Sequence, residues 1–137
     1  GIFEDISLMS GAAVNDHGQP DGSVGTDVGD FNSDGLPDIW VANYEHENFG
    51  MYRNLGQGQF RHVSQSLGVA AIGVIYVGWG TRFLDLDLDG DEDLIVSNGH
   101  VLRFAGESPR RQQPLVLENA DGRRLINVAD LAGEYTA

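Results

Sequence analysis

The sequence has no cysteine in its 137 residues, which excludes a disulfide framework and any thiolate metal site. Basic side chains are also scarce: 8 basic residues stand against 21 acidic ones, and the formal net charge is −13. Because nucleic acids repel so acidic a chain, we expect no nucleic-acid partner. The longest apolar stretch, residues 69–79, is far shorter than the roughly 20 residues of a membrane-spanning helix, so we expect no membrane insertion.

The remaining composition is that of a folded domain. Hydrophobic residues make up 41% of the chain, which is enough for the core of one modest domain. The chain starts Gly-Ile-Phe-Glu-Asp, without methionine or a basic segment, and we expect this to be a processed or excised boundary. The 4 histidines are scattered along the chain, so the sequence predicts no zinc site.

One nine-residue acidic pattern occurs twice, 55 residues apart. Loop 1 is DFNSDGLPD at residues 30–38, and loop 2 is DLDLDGDED at residues 85–93. Each loop has an oxygen-bearing side chain at positions 1, 3, 5 and 9, and a glycine at position 6. Gly35 and Gly90, the two position-6 residues, permit the sharp turn that wraps a chain around an ion. The pattern therefore predicts a site for a hard cation in each loop.

Calcium is the cation that this pattern favours, because it takes roughly six to eight oxygen ligands in a flexible geometry, whereas magnesium demands a tighter octahedron. We therefore predict two calcium ions, one per loop. The predicted ligands are the side chains of Asp30, Asn32, Asp34 and Asp38 with the carbonyl of Leu36 in loop 1, and the side chains of Asp85, Asp87, Asp89 and Asp93 with the carbonyl of Asp91 in loop 2. Loop 2 has more carboxylates, so we expect it to bind calcium more tightly.

Two other interpretations of the loops compete with a calcium site. An EF-hand starts in the same way but needs a bidentate glutamate at position 12, where this chain has Val41 and Val96. The EF-hand is therefore excluded. Aspartate and glycine are also ordinary turn residues, so a solvated turn remains the alternative.

The repeat extends beyond the acidic loops. Asn43 matches Asn98 at the same offset of 55, whereas Asn54 matches Asn119 at an offset of 65. An insertion of ten residues must therefore lie between Asn98 and Asn119. The N-terminal residues match residues 60–68 at an offset of 57, which indicates the tail of a third copy. A period of this length is typical of arrays of supersecondary units.

Each repeat contains four short segments rich in β-branched and aromatic residues. The predicted strands are 26–31, 38–42, 50–54 and 59–64 in the first repeat, and 81–86, 93–97, 115–118 and 124–128 in the second. The predicted fold is all-β: two four-stranded antiparallel β-propeller blades, plus the last strand of a preceding blade. Residues 1–25 would hold that end strand and a connecting loop, residues 26–80 the first blade, and residues 81–137 the second blade, with an insertion at about 99–114. We expect Trp40 and Trp79 to pack in the core or between blades.

Three blocks of the sequence resemble a known family: VGDFNSDGLPDIWVAN, MYRNLGQGQF and GWGTRFLDLDLDGDEDLIVSNGHV. They are similar to FG-GAP/VCBS-type repeats, and most similar to the bacterial ASPIC/UnbV-associated group, relatives of the cartilage acidic protein. The resemblance implies propeller blades, one calcium per blade in the loop between the first two strands, and a secreted, periplasmic or cell-surface location. Related blades in integrin α-chains serve adhesion, and the family shares no chemistry.

The predicted function is a calcium-binding propeller module for extracellular recognition or adhesion, without catalysis of its own. No G-x-S-x-G motif, phosphate-binding glycine loop or cysteine nucleophile is present. Ser64 matches Ser7 in the repeat, which favours a structural hydroxyl over a nucleophile. The alternatives are an accessory segment of a larger secreted polysaccharide-active enzyme and a purely structural spacer.

In an up-and-down blade, the loops between the second and third strands lie on the face opposite the predicted calcium loops. The second of these loops contains the insertion, with the possible partner-binding residues Arg103, Phe104, Arg110 and Arg111. We expect a protein or carbohydrate ligand there, although a long solvated loop over a blade edge is the alternative. Two blades also leave open edges, which predict contact with the remaining blades of a parent protein or self-association.

Overall fold

The computed structural model describes residues 1–101, 109–131 and 133. Its strands form two antiparallel four-stranded sheets, each in sequential order, which we name blade 1 and blade 2. Blade 1 consists of β1 (Gly25–Gly29), β2 (Asp38–Ala42), β3 (Gly50–Asn54) and β4 (Phe60–His62); blade 2 consists of β5 (Gly78–Leu84), β6 (Asp93–Asn98), β7 (Leu115–Ala120) and β8 (Arg124–Asn127). The all-β prediction with two four-stranded antiparallel blades is confirmed.

The predicted end strand near the N-terminus is wrong. Residues 1–24 contain no strand, and Ile2 and Phe3 are fully exposed. The repeat nevertheless continues into this region, because helix α1 (Ser7–Ser10) ends at Gly11 with φ 83° and helix α2 (Ser64–Leu67) ends at Gly68 with φ 82°. A strand also needs a neighbour to pair with, and no described strand lies beside residues 3–5.

Short helices connect the two blades, and the sequence did not reveal them. Helix α2 is followed by α3 (Ala70–Gly73), and a 3₁₀ turn (Ala129–Leu131) follows β8. Each is a single turn, too short to produce a helical period in the sequence. Leu67 and Val69 of this connection are buried in the core.

The core lies between the two sheets. Blade 1 contributes the buried side chains of Trp40 and Met51, and blade 2 contributes those of Leu94 and Leu117. These core residues of blade 1 and blade 2 do not occupy matching positions in the repeat. The residue that matches Trp40 is Ile95, which lies on the face of β6 opposite to Leu94. The blades therefore stack in the same orientation, back to front, as successive units of an array do.

The contact between β1 and β5 requires glycine. A Cβ atom at Gly25 would collide with the carbonyl oxygen of Trp79, and one at Gly29 would lie 2.6 Å from the ring of Phe83. The backbone N–H of Phe83 donates a hydrogen bond of 2.7 Å to Asp27 across this contact. The first strands of the two blades are thereby joined at close range.

The two tryptophans have different environments. Trp40 is 0% exposed, as predicted, but Trp79 is 41% exposed and donates its indole N–H to the carbonyl of Gly99. The prediction for Trp79 is wrong because the pairing register of β5 shifts between Gly78 and Thr81. Among the described residues, no helix is both long and apolar enough to cross a membrane.

Candidate metal centre

Loop 1 connects β1 to β2, and loop 2 connects β5 to β6, so each lies between the first two strands of its blade. The position-12 residues Val41 and Val96 lie within β2 and β6, which agrees with the exclusion of an EF-hand. The loops also share two unusual backbone conformations. Position 4 has a positive φ in both (Ser33 54°, Leu88 64°), and so does the position-6 glycine (84° and 99°).

Three internal hydrogen bonds recur in both loops. The position-1 carboxylate accepts from the N–H of the position-6 glycine, at 2.8 Å in loop 1 and 3.2 Å in loop 2. The position-3 side chain accepts from the N–H of position 5, at 3.3 Å and 3.2 Å. The position-5 carboxylate accepts from the N–H of position 7, at 3.0 Å and 2.9 Å. These bonds fold each loop back on itself through its side chains at positions 1, 3 and 5.

Loop 2 brings three carboxylates together. Oxygen atoms of Asp85, Asp87 and Asp89 all lie within 4.8 Å of one another. Desolvation raises the pKa of Asp87, and the neighbouring charges of Asp89, Asp93 and Asp85 raise it further. In addition, one buried oxygen of Asp85 has no hydrogen-bond partner. A divalent cation would relieve this repulsion and supply the missing partner.

Loop 1 differs because an arginine enters it. The guanidinium of Arg53, on β3, lies 3.1 Å from Oδ2 of Asp34. The same oxygen accepts a hydrogen bond of 2.9 Å from the side-chain amide of Asn32. Desolvation opposes ionisation of Asp34, but the hydrogen bonds from Arg53 and its other neighbours outweigh it and lower the pKa.

The two position-9 aspartates are both buried but are bonded differently. Asp38 accepts the N–H of Asn54 at 2.7 Å through Oδ1, and its buried Oδ2 has no hydrogen-bond partner. Burial therefore raises the pKa of Asp38 to about 6, with contributions from Asp34 and Asp30. Asp93 accepts two backbone N–H groups, from Asn119 at 2.8 Å and Leu86 at 2.9 Å. The Oδ2 atom of Asp38 is therefore a predicted ligand atom without a hydrogen-bond partner.

Blade 2 also anchors the backbone of loop 1. The N–H of Asp30 donates a 2.6 Å hydrogen bond to the carboxylate of Glu92. The side-chain amide of Asn119 donates to the carbonyls of Phe31 at 2.6 Å and Glu92 at 3.0 Å. Sequence reasoning missed the bonds to Asp30 and Phe31, which cross between the blades. The repetition of Asn54 at Asn119 was the signal available for one of them.

The asparagines that follow the loops in the repeat are structural. Asn43 donates its side-chain amide to the carbonyl of Asn48 at 2.6 Å, and Asn98 donates to that of Gln113 at 2.8 Å. Each thereby fastens the connection between the second and third strands of its blade. Neither residue takes part in the loop hydrogen bonds described above.

Of the possible partner-binding residues, Arg103 and Phe104 lie outside the described residues. Arg110 and Arg111 are exposed, and Arg111 pairs with Gly99 in an isolated bridge. Nearby, the imidazole of His100 lies 2.9 Å from the carboxylate of Glu45, in the connection between β2 and β3. The insertion therefore begins against the corresponding connection of blade 1.

One group of side chains has the residue types of a serine hydrolase. The Oγ atom of Ser64 lies 3.2 Å from Nε2 of His62, whose Nδ1 is 3.9 Å from a carboxylate oxygen of Asp16. However, Ser64 is 0% exposed, and its hydroxyl accepts the N–H of Met51 at 2.8 Å. Its burial and this bond across the blade fit a structural hydroxyl.

A protein-family model matches part of the chain. Residues 30–96 match the model of the FG-GAP-like repeat. The match starts at the first residue of loop 1 and ends in β6, just after loop 2. A search of curated proteins found no significant match.

Proposed function

We propose that this chain is a calcium-binding β-propeller segment that serves recognition or adhesion outside the cell. The observation that carries the proposal is the pair of loops with three equivalent hydrogen bonds and with oxygen-bearing side chains at the same four positions. Loop 2 gathers three carboxylates within 4.8 Å, and loop 1 has a buried carboxylate oxygen without a partner. Both arrangements leave negative charge that a calcium ion would neutralise.

Thermal unfolding with and without calcium tests the proposal. Calcium at about 100 times its dissociation constant stabilises a folded protein by about 2.7 kcal/mol, so the melting temperature should rise clearly over that in EDTA. The Asp85→Asn/Asp87→Asn variant should lose part of this rise. Asp121→Asn, a change of an exposed aspartate outside both loops, should keep all of it. Equal melting temperatures in calcium and in EDTA would refute calcium binding.

The secreted, periplasmic or cell-surface location is part of the same proposal, as is membership of the ASPIC/UnbV-associated or VCBS groups. Their support is the resemblance of the acidic blocks, together with the FG-GAP-like match. Extracellular calcium is also plentiful enough to fill sites of modest affinity. We further propose that the segment has no catalytic activity of its own, in keeping with the burial of Ser64.

We assign the recognition surface to the side that carries the insertion, with a protein or an acidic carbohydrate as the ligand. Arg110 and Arg111 are exposed there in a chain with only 8 basic residues. Substituting both by alanine should weaken binding to an acidic polysaccharide such as heparin. Arg123 and Arg124, an exposed pair at the start of β8, provide the matched control. If both double substitutions weaken heparin binding equally, the binding depends on total positive charge and not on this surface.

The open face of blade 2 is where we expect a further blade to dock. A cavity of about 420 Å³ lies there, lined by Ile95, Val116 and Leu131 among others. Ile95 and Val116 are the counterparts of Trp40 and Met51, which pack against blade 2 in the core. The repeat therefore supports another blade of the same type as the occupant, from the parent protein or from a second copy.

A further inference from the structure

The third strands of the two blades carry opposite charges at one equivalent position. Asn54 and Asn119 occupy matching places, each donating its backbone N–H to the position-9 aspartate of its own blade. The preceding residues are therefore counterparts as well: Arg53 in blade 1 and Glu118 in blade 2. The strand registers agree, since Ile39 pairs with Tyr52, and their counterparts Leu94 and Leu117 pair in blade 2.

In blade 1 this position faces the acidic loop. Arg53 reaches Oδ2 of Asp34 at 3.1 Å, and Asn32 donates to the same oxygen at 2.9 Å. This oxygen of a predicted ligand already has a cationic partner. A calcium ion in loop 1 would have to share it with the guanidinium or displace the guanidinium, at a cost in affinity.

In blade 2 the same position adds negative charge. Glu118 lines one cavity together with Asp87 and Asp93 of the loop 2 pattern. It forms no ion pair with any residue that the structure describes. A carboxylate at this place draws a cation toward loop 2 instead of competing with it.

We propose that the charge at this third-strand position sets the order of calcium affinity of the two loops. Arg53 is a built-in counter-ion that weakens calcium binding in loop 1 and partly replaces the ion when calcium is absent. Glu118 strengthens calcium binding in loop 2. This inference rests on the proposed calcium binding, which it deepens by naming the residues that tune each site.

Calcium titration calorimetry tests the role of Arg53. The Asp85→Asn/Asp87→Asn variant leaves loop 1 as the remaining intact site, and Arg53→Gln is introduced into it. Removing one nearby positive charge should tighten calcium binding about three- to tenfold. Arg61→Gln is the matched control, because Arg61 is exposed and lies opposite Arg53 on β4. It makes the same change in net charge without a described contact to Asp34.

A second measurement separates a counter-ion from a mere surface charge. In EDTA, Arg53→Gln should lower the melting temperature, because Asp34 loses its partner, whereas the rise on adding calcium should become larger than in wild type. Arg61→Gln should change both quantities much less, because Arg61 has no described contact to Asp34. Arg53 is exposed, so its replacement should not prevent folding. Arg53→Lys, which keeps the charge, should stay close to wild type in both measurements.

The reciprocal change concerns loop 2. With loop 1 disabled by Asp30→Asn/Asp34→Asn, Glu118→Gln should weaken calcium binding about three- to tenfold. Asp121→Asn, which removes an exposed charge from the next turn, should have a smaller effect.

The outcomes separate the roles of Arg53 and Glu118 from calcium binding itself. Absence of calcium binding in wild type overturns both. Calcium binding in which Arg53→Gln and Arg61→Gln behave alike overturns the inference and leaves the proposed function intact. A selective effect of Arg53→Gln in both measurements, with the opposite effect of Glu118→Gln, supports the inference.

Discussion

Loop 1 and loop 2 share three hydrogen bonds from backbone N–H groups to side chains but surround their carboxylates with different charges. In loop 1, Arg53 pairs with Asp34, whereas in loop 2 three aspartates face one another. The three shared bonds join residues two to five positions apart within each loop, so they recur. The charge around each loop depends on the neighbouring strand, so it differs. The comparison shows that a repeated motif can keep its shape while its electrostatics diverge.

The blades also differ in what covers each loop. Loop 1 lies against blade 2, whose Glu92 and Asn119 hold its backbone. The corresponding side of loop 2 lies beside the open face of blade 2, where a cavity reaches Asp87. Loop 1 is therefore built into an interface, and loop 2 stands at the edge of the described array.

The largest expected effect comes from the contact between the blades. Asn119→Ala removes three hydrogen bonds, to Phe31, Glu92 and Gly122, and should cost about 4 kcal/mol of unfolding free energy, because the carbonyl acceptors stay buried. Its counterpart change, Asn54→Ala, removes bonds only within blade 1 and should cost about 1 kcal/mol. Urea unfolding in calcium measures both. Equal losses would show that the bond from Asn119 to Phe31, which joins the two blades, carries no special weight.

The next effect separates the two position-9 aspartates. Because burial raises the pKa of Asp38 to about 6 from an ordinary 3.8, its contribution to stability is fully present below pH 3.8 and is lost as the pH rises through about 6. Without calcium, the ionised carboxylate therefore destabilises the fold at pH 7, by about 2–3 kcal/mol. Asp38→Asn should recover this loss in EDTA at pH 7, and should weaken calcium binding.

Asp93→Asn is the matched control for that change. Asp93 accepts two backbone N–H groups, so an amide there would turn a donor toward one of them. It should destabilise the protein by about 2 kcal/mol in EDTA, the opposite of Asp38→Asn. Unfolding curves at pH 5 and pH 7 would reveal the difference, and a loss of stability in both variants would contradict it.

The smallest effect concerns position 4 of loop 2. Leu88 has a φ of 64° and is 85% exposed, a conformation that asparagine adopts more readily than leucine. Leu88→Asn should stabilise the protein by about 0.5–1 kcal/mol. The control, Leu55→Asn, changes an exposed leucine without a positive φ and should bring no gain. A thermal melt in calcium is sensitive enough to compare them.

Much of the fold was predictable from the sequence because strand alternation and turn residues act locally. The bounds of β2 and β3 agree with the prediction to the residue. Trp79 was not predictable in this way, since a shift of register, and not the local pattern, exposes its ring. The end strand at the N-terminus failed for a similar reason: a strand exists only beside a partner.

In the candidate metal centre, too, some features were predictable from the sequence and others were not. The spacing of the acidic residues marked Asp85, Asp87 and Asp89, whose carboxylate oxygens lie within 4.8 Å of one another. The hydrogen bonds that curl the loop there join residues two to five positions apart. No spacing in the sequence relates Arg53 to Asp34, which are 19 residues apart and meet only when β3 pairs with β2. The unpartnered oxygen of Asp38 is likewise a consequence of burial.

By itself, the sequence determined the two loops, their glycine turns and the four-stranded repeat, since these follow from contacts between residues that are near in the chain. Only the tertiary structure decided which carboxylate pairs with an arginine and which carboxylates are buried. It also decided that blade 2 anchors loop 1. Charge and burial act through space, and only folding brings Arg53, Glu92 and Asn119 within reach of loop 1.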